Sequence, residues 1–371
     1  MSAIYILSDY GKLAKSDQTL VFTQKDDTRT IIFPFKTEQL VLMGNISISG
    51  DAIRLLTKYK IPTTFLSSNG RFNGKLSFGD SKNIFLRQRQ YRILDNEKSS
   101  LEIARSIVCG KIRNEISFMQ RIKRKSTSTI KDEEKIKEAI NFVKNLLIDA
   151  EKASSIDSLR GYEGNAAKKY FEVFGLNLIP DWAEFIKRSK NPPKSNVNAV
   201  LSFLYTLLSY RIESAIEATG LDLCVGNLHA LNYGRNALVF DLIEEFRSPI
   251  ADSLCCSLFN LGTLVEDDFE TVAFDEDNPD YPMDSDEEKN QPIPDSSLEK
   301  EEIQTEKKGV LLTKAGLKKV IAAFENKMDT LILYSPTGQK ISYSKIIYEQ
   351  VEHYKRVING EETEYKAYYL K

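Results

Sequence analysis

SSLEIARSIVCGKIRNEISFMQRIKRK, residues 99–125, sets Leu101, Ala104, Val108, Ile112 and Met119 three or four positions apart, the repeat of one face of a helix. Glu115 falls on that same face and alone interrupts its apolar stripe, while Arg105, Lys111 and Arg121 gather around it. Before about residue 82 the rhythm is different. AIYILSD, TLVFTQKD, TIIFPF, LVLMGNISI, PTTFLSS and KLSFGD are short, rich in β-branched and aromatic residues, and separated by turn signals. One short helix, DAIRLLTKY, interrupts them, and SSNGRFNGKL reads as a tight hairpin turn. The change of period therefore predicts an α+β chain, with a small β-sandwich over residues 1–82 and an all-helical domain over 83–371.

Downstream, SNVNAVLSFLYTLLSYRIESAIEATG predicts a helix capped by Ser195 and ended by Gly220, with Arg211 on its apolar face. KAGLKKVIAAFENKM and YSKIIYEQVEHYKRVI predict two more near the C-terminus. At 371 residues the chain exceeds the usual single domain, and its 42% hydrophobic content is ample for a core. No apolar run approaches the ~18 residues of a membrane span, and the N-terminus lacks the basic and apolar regions of a signal peptide. The four cysteines form neither C-x-x-C pairs nor a disulfide framework, so a reduced, cytoplasmic compartment is expected, with no membrane partner.

The net charge of −2 hides an asymmetry. Residues 266–306 carry 17 Asp or Glu and 2 Lys, which leaves 49 basic and 36 acidic residues elsewhere, a net +13. A basic body of this kind suits a polyanion. The acidic stretch holds Pro279, Pro282, Pro292 and Pro294 and no sustained period, so it reads as a disordered loop within the helical domain.

Two stretches carry residues fit for chemistry. In GNLHALNYGRNALVFDLIEEFRSPIAD, residues 226–252, Leu238, Val239, Leu242, Ile243 and Phe246 form an apolar stripe. Asp241, Glu244 and Glu245, at i, i+3 and i+4, would cluster away from it, either as a solvated acidic face or as part of a metal site. His229, one of only two histidines, lies in the loop before this helix and could fold back over it, and Ser248 and Pro249 look like the cap and first position of the next helix. In RGYEGNAAKKYFEVFGL, residues 160–176, Glu163 shares a face with Ala167, Tyr170 and Phe174. An inward carboxylate needs a partner, either a cation such as Arg160 or a metal. The other histidine, His353, reads as a helix residue without a catalytic role, and Trp182 as core.

H-A-L-N-Y-G-R-N-A-L-V-F-D-L-I-E-E-F-R resembles the signature of the CRISPR-associated adaptation integrases, the first Cas protein family: a histidine, an arginine, then D-L-x-E/D-x-F-R. G-Y-E-G-N-A-A-K-K-Y-F resembles that family's glutamate motif, and the likeness extends to VLMGNISISGDAIRLLTKYKIPTTFLSSNGRFNGKL and LRQRQYR. The resemblance implies a β-sandwich followed by a helical catalytic domain, with Glu163, His229 and Glu244 as catalytic ligands of Mg²⁺ or Mn²⁺. Asp241 would support the ligands or join them occasionally, and Arg235 and Arg247 are candidates for phosphate contact or for structural ion pairs. The chain departs from the family pattern at Ser248, between the arginine and Pro249, and in its acidic insertion.

The implied reaction joins DNA 3′-hydroxyl ends to the CRISPR repeat by transesterification, and water in place of the hydroxyl gives nicking. No nucleotide energy source is needed, and the chain carries neither G-x-x-x-x-G-K-[ST] nor G-x-G-x-x-G. The implied partners are double-stranded DNA (prespacer and CRISPR repeat), a second copy in a homodimer, and the small second adaptation protein that bridges two dimers. The alternative is a non-catalytic DNA-binding scaffold of the same fold. A metallohydrolase acting on small molecules is disfavoured by the basic body.

Overall fold

A computed structural model describes residues 2–68, 70, 72–76, 83–125, 130–189, 192–229, 233–274 and 307–370. The chain divides into two compact units, residues 1–80 with 267–318 and residues 81–266 with 319–371. The first unit thus takes back a stretch that the sequence reading gave wholly to the helical domain.

In the first unit, β1 (Ser2–Ser16), β2 (Thr19–Gln24), β3 (Arg29–Ile32), β4 (Thr37–Ile48), β5 (Thr63–Leu66) and β6 (Phe72–Leu76) form one sheet in the order β3-β2-β1-β4-β5-β6. β1 and β5 lie parallel to β4, and the remaining neighbours are antiparallel. Between β4 and β5 runs α1 (Gly50–Tyr59), whose first turn is capped by Ser49 accepting from the Ala52 amide at 3.2 Å. The α+β architecture stands, with the first six strands hydrogen-bonded into one sheet.

What lets one sheet serve both halves of the core is a bulge. Leu7 pairs with Met43 and Tyr10 with Asn45, so Ser8 and Asp9 together oppose Gly44. On β4 the inward residues keep even parity across this point: Leu40, Leu42, Ile46 and Ile48. On β1 the parity switches from Ile4 and Ile6 to Leu13, and all of these still enter one core with Leu20, Phe22, Leu55 and Leu56. A strand slipped by one residue turns its apolar face outward, and the extra bulge residue corrects that slip. Gly44 has φ +103°, and a Cβ there would overlap the Ser8 carbonyl.

β7 (Phe269–Phe274) and β8 (Lys307–Leu312) form an antiparallel pair in the same unit. The start of the acidic stretch, expected to be disordered throughout, is therefore ordered. Glu266–Asp268 form a 3₁₀ turn, Asp268 is buried, and its carbonyl accepts from the Thr313 amide at 2.8 Å. FETVAF is rich in aromatic and β-branched residues and finds a partner in KKGVLL, which outweighs its acidic neighbours. The rest of the expected loop, 275–306, lies outside the described residues.

The second unit contains α2 (Ile84–Asp95), α3 (Glu97–Lys125), α4 (Ile130–Glu151), α5 (Ile156–Phe174), α6 (Asn196–Thr219), α7 (Ala237–Ile243), α8 (Ser253–Asn260) and α10 (Tyr343–Asn359), and the division between units falls within α9 (Lys314–Met328). It is not entirely helical, because β9 (Leu331–Tyr334) and β10 (Gln339–Ser342) make a hairpin before α10. α6 follows its sequence signals closely: the Ser195 hydroxyl accepts from the Asn198 amide at 3.3 Å, and Gly220 closes the helix with φ +83°. The buried Arg211 on its apolar face pairs with Glu325 of α9. Among the described residues no helix is long and apolar enough to cross a membrane, and all four cysteines are free thiols. Replacing Gly44 by alanine is expected to cost about 1–3 kcal/mol through backbone strain at the bulge. Urea denaturation measures this, and an unshifted midpoint would show that the strand pair reroutes without cost.

Candidate active site

α3 runs through the middle of the helical unit, and from Ile107 to Met119 it is buried nearly all round. Its Lys111 ammonium contacts Glu163 Oε1 and lies 2.6 Å from Glu244 Oε2. Glu163 comes from α5, in line with the buried Leu159, Ala166 and Tyr170, so Ala166 takes the inward place expected of Ala167. Arg160, the expected cation for Glu163, is instead committed to Asp157 at 2.9 Å and to the Leu228 carbonyl at 2.8 Å. Burial works against the charge on Lys111, but Glu163 and Glu244 outweigh it and hold the ammonium protonated beyond its ordinary range.

Asp241, Glu244 and Glu245 do not form a solvated acidic face. All three are buried, and each meets different partners. The seven residues of α7 give way to a π-helical turn at Arg247–Asp252, and the intervening residues bring Glu244 toward α3 and α5. Ser248 is inside this turn rather than capping a helix, with its hydroxyl 3.5 Å from both the Tyr170 hydroxyl and the Asn114 carbonyl. Nothing in the Ser-Pro pair signals a π turn.

Asp241 gathers the loop that carries His229. Its carboxylate accepts from the amides of Asn227, Leu228 and His229, the last two at 2.9 Å, and from His229 Nδ1 at 2.8 Å. With Nδ1–H donated to the carboxylate, Nε2 keeps its lone pair, the tautomer that suits a metal ligand. Gly226 permits this wrapping, since a Cβ there would lie 2.7 Å from both Asp241 Oδ2 and the Ala237 carbonyl carbon. Gln90 of α2 clamps the same loop upstream. It donates to the Asp222 and Val225 carbonyls and accepts from the Asp222 amide, each at 2.9 Å. Asn227 adds bonds to Ser100 at 3.1 Å and to the Tyr354 hydroxyl at 2.8 Å.

Glu245 points to the C-terminal segment. It accepts from the Tyr365 hydroxyl, from the Tyr368 amide at 2.7 Å and from Gln350 at 2.9 Å, while burial pushes its carboxyl up to about 7. Asn114 of α3 ties the two together, donating to the Glu245 and Tyr368 carbonyls and accepting from the Leu370 amide. His353 belongs to this clasp and not to the site: its Nε2 accepts from the Lys366 amide at 2.8 Å, and its ring stacks on Tyr365.

Arg247 pairs through Nε with Glu244 Oε1 at 3.0 Å and lies 4.8 Å over the Tyr205 ring. Arg235 is buried, with its guanidinium 5.2 Å over Phe240. Asp252, beside them, takes hydrogen bonds from Tyr170 and Tyr205 at 2.8 and 2.6 Å, and burial raises its carboxyl to about 6. The structure thus joins Glu163 to Glu244 through Lys111, and His229 to Asp241. Among the described residues, no three His, Cys, Asp or Glu side chains converge as a finished metal cage. The donor set nonetheless fits a divalent cation: two carboxylates, from α5 and from the junction after α7, already share one cationic atom, and a histidine is held with one nitrogen in reserve.

Sequence reasoning overlooked Lys111 and Glu115 as members of this centre, although Glu115 broke the α3 stripe with Lys111 four residues before it. Burial pushes the Glu115 carboxyl up to about 8, against the pull of Lys111. The folded chain therefore keeps a proton that the unfolded chain loses above 4.5. This contribution to stability is complete below that value and disappears as pH rises through about 8. Glu115→Gln is expected to gain melting temperature over the unmodified chain more at about pH 9 than at about pH 6. Equal differences at the two pH values would show that Glu115 titrates like an exposed carboxylate.

Comparison with known proteins places this arrangement in a family. Residues 4–275 match the family model described as CRISPR associated protein Cas1. The chain is 28% identical over 370 residues to a CRISPR-associated endonuclease Cas1 of Thermus thermophilus, covering 99% of this chain and 97% of that one. It is 34% identical over 272 residues to one from Chlorobaculum tepidum, covering 73% and 79%. Among solved structures, a Cas1 protein from Thermotoga maritima matches at a TM-score of 0.75 and 21% identity over 97% of both chains. A casposase bound to integration product matches at 0.75 and 20% identity, over 98% of this chain and 92% of that one. With motifs, fold and family model in agreement, the chain belongs to the Cas1 family of CRISPR-associated proteins.

Proposed function

We propose that the chain is a metal-dependent DNA integrase and endonuclease of CRISPR adaptation, which joins the 3′-OH ends of short duplex DNA to the CRISPR repeat by transesterification. What carries this reading is Glu163 of α5 and the buried Glu244 just after α7, which share the Lys111 ammonium, together with a histidine oriented by Asp241. The names of the relatives, CRISPR-associated endonucleases, support it. Glu163, Glu244 and His229 Nε2 would hold Mg²⁺ or Mn²⁺, which when bound polarises the scissile phosphate and stabilises charge in the in-line transition state.

The chain's own residues do the positioning. Asp241 fixes the ring and tautomer of His229, and Gln90 and Asn227 keep the loop from drifting. Arg247 holds the second oxygen of Glu244, so that carboxylate presents a defined face. An attacking 3′-hydroxyl gives strand transfer, and an attacking water gives nicking at the same centre. The basic body, net +13 outside residues 266–306, would hold DNA by its phosphates. The proposed partners are prespacer and repeat DNA, a second copy of the chain, and the small second adaptation protein. A solved Cas6-RT-Cas1–Cas2 complex, matched at a TM-score of 0.77 and 21% identity over all of this chain and 37% of that one, supports the last of these partners.

Glu163→Ala, His229→Ala and Glu244→Ala are each expected to lower strand transfer and Mn²⁺-dependent plasmid nicking by about 100-fold or more, while DNA binding persists. Asp241→Asn is expected to cost about 10–100-fold, because it loosens His229 without removing a ligand. Near-normal nicking in any of the first three would remove that residue from the site, and no nicking by the unmodified chain would favour the scaffold reading. Non-specific DNA affinity should fall with salt at a log–log slope near −0.9 per neutralised phosphate. An affinity indifferent to salt would contradict the phosphate-holding body.

A further inference from the structure

Lys111 and Glu115 stand four residues apart on α3, and so lie on the same side of that helix. The Lys111 ammonium is shared between Glu163 and Glu244, the position of a bridging cation. Glu115 is 3% exposed, and its Oε2 has no hydrogen-bond partner. We propose that Lys111 is the resident counter-ion of Glu163 and Glu244, which a divalent cation must displace, and that Glu115 is the carboxylate to which the ammonium then turns. This rests on the assignment of Glu163 and Glu244 as metal ligands.

The argument is one of charge and reach. A dication held by the same two carboxylates would stand within a few ångströms of the ammonium, in a medium that screens poorly. The side chain must therefore move, and its flexible four-carbon stem allows that. Of the charged groups around it, Arg247 repels it, Asp252 is occupied by the hydroxyls of Tyr170 and Tyr205, and Glu163 and Glu244 would be taken by the metal. Glu115 remains, buried on the same helix with an oxygen to spare, and its carboxyl gives up its proton to solvent as the ammonium arrives to pair with it. This also accounts for a carboxylate placed in the apolar stripe of α3, where Leu or Met would pack at less cost.

The test is Mn²⁺ titration of the full chain by calorimetry, with the free-ion electron paramagnetic resonance signal as a second readout. Lys111→Met is expected to bind Mn²⁺ about tenfold more tightly or better, having lost the competing charge. Glu115→Gln, with Lys111 intact, is expected to bind about threefold more weakly or worse, and the double variant should resemble Lys111→Met, because no ammonium is left to accommodate. Lys111→Met binding no more tightly than the unmodified chain, or unchanged affinity in Glu115→Gln, would overturn the proposal. Should Lys111→Met fail to fold, Glu115→Gln decides alone. Glu163→Ala and Glu244→Ala separate the two levels: if neither weakens Mn²⁺ binding, the site assignment itself fails, whereas their loss of binding beside an unaffected Lys111→Met defeats only the counter-ion role.

Discussion

An ammonium buried among carboxylates is the contact on which the helical unit turns. Lys111, Glu163 and Glu244 come from α3, from α5 and from the junction after α7, so three elements meet at a single charge cluster. Desolvating such groups is expensive, and the cost is offset only while every partner stays in place. Removal of one leaves the others uncompensated in an interior that cannot solvate them. The same cluster that would do chemistry is therefore part of the packing, which ties the position of Glu244 to the docking of α3 rather than to a surface loop.

Around this cluster, one short helix serves three directions. Asp241 faces the His229 loop, Glu244 faces α3 and α5, and Glu245 faces the C-terminal segment. The π-helical turn that follows shifts the backbone out of simple helical register just after these carboxylates, a device often found where function needs side chains set at unusual angles. None of the three carboxylates is exchangeable for another, because each is read by a different set of donors.

Much of the fold was legible because its signals are local. Ser195 and Gly220 bound α6 through caps that depend only on adjacent backbone, and the residues of α9 and α10 followed their apolar period. The single bent sheet was not legible, since the bulge at Ser8 and Asp9 gains its meaning from Gly44 on another strand. Glu163, His229 and Glu244 could be named from motifs as candidate ligands, and of the two readings open for Asp241, Glu244 and Glu245 the burial of all three removes the solvated face. Helical periodicity assumes that charge points outward, and it fails where tertiary partners receive each carboxylate. Lys111 was seen beside Glu115 but not as a member of the centre, because its partners Glu163 and Glu244 lie far off in the chain.

The clasp on Glu245 also bears on how the chain comes to be folded. Tyr365 and Tyr368 lie 120 and 123 residues beyond the carboxylate they satisfy, so in synthesis the acceptor emerges long before its donors. Until those residues leave the ribosome, Glu245 has no such partners and keeps access to water, because an unsatisfied carboxylate resists burial. The segment that supplies Glu244 is thus closed over by a contact of long sequence separation. The motif and the contact that covers it are 120 residues and more apart, so the one exists in the growing chain before the other.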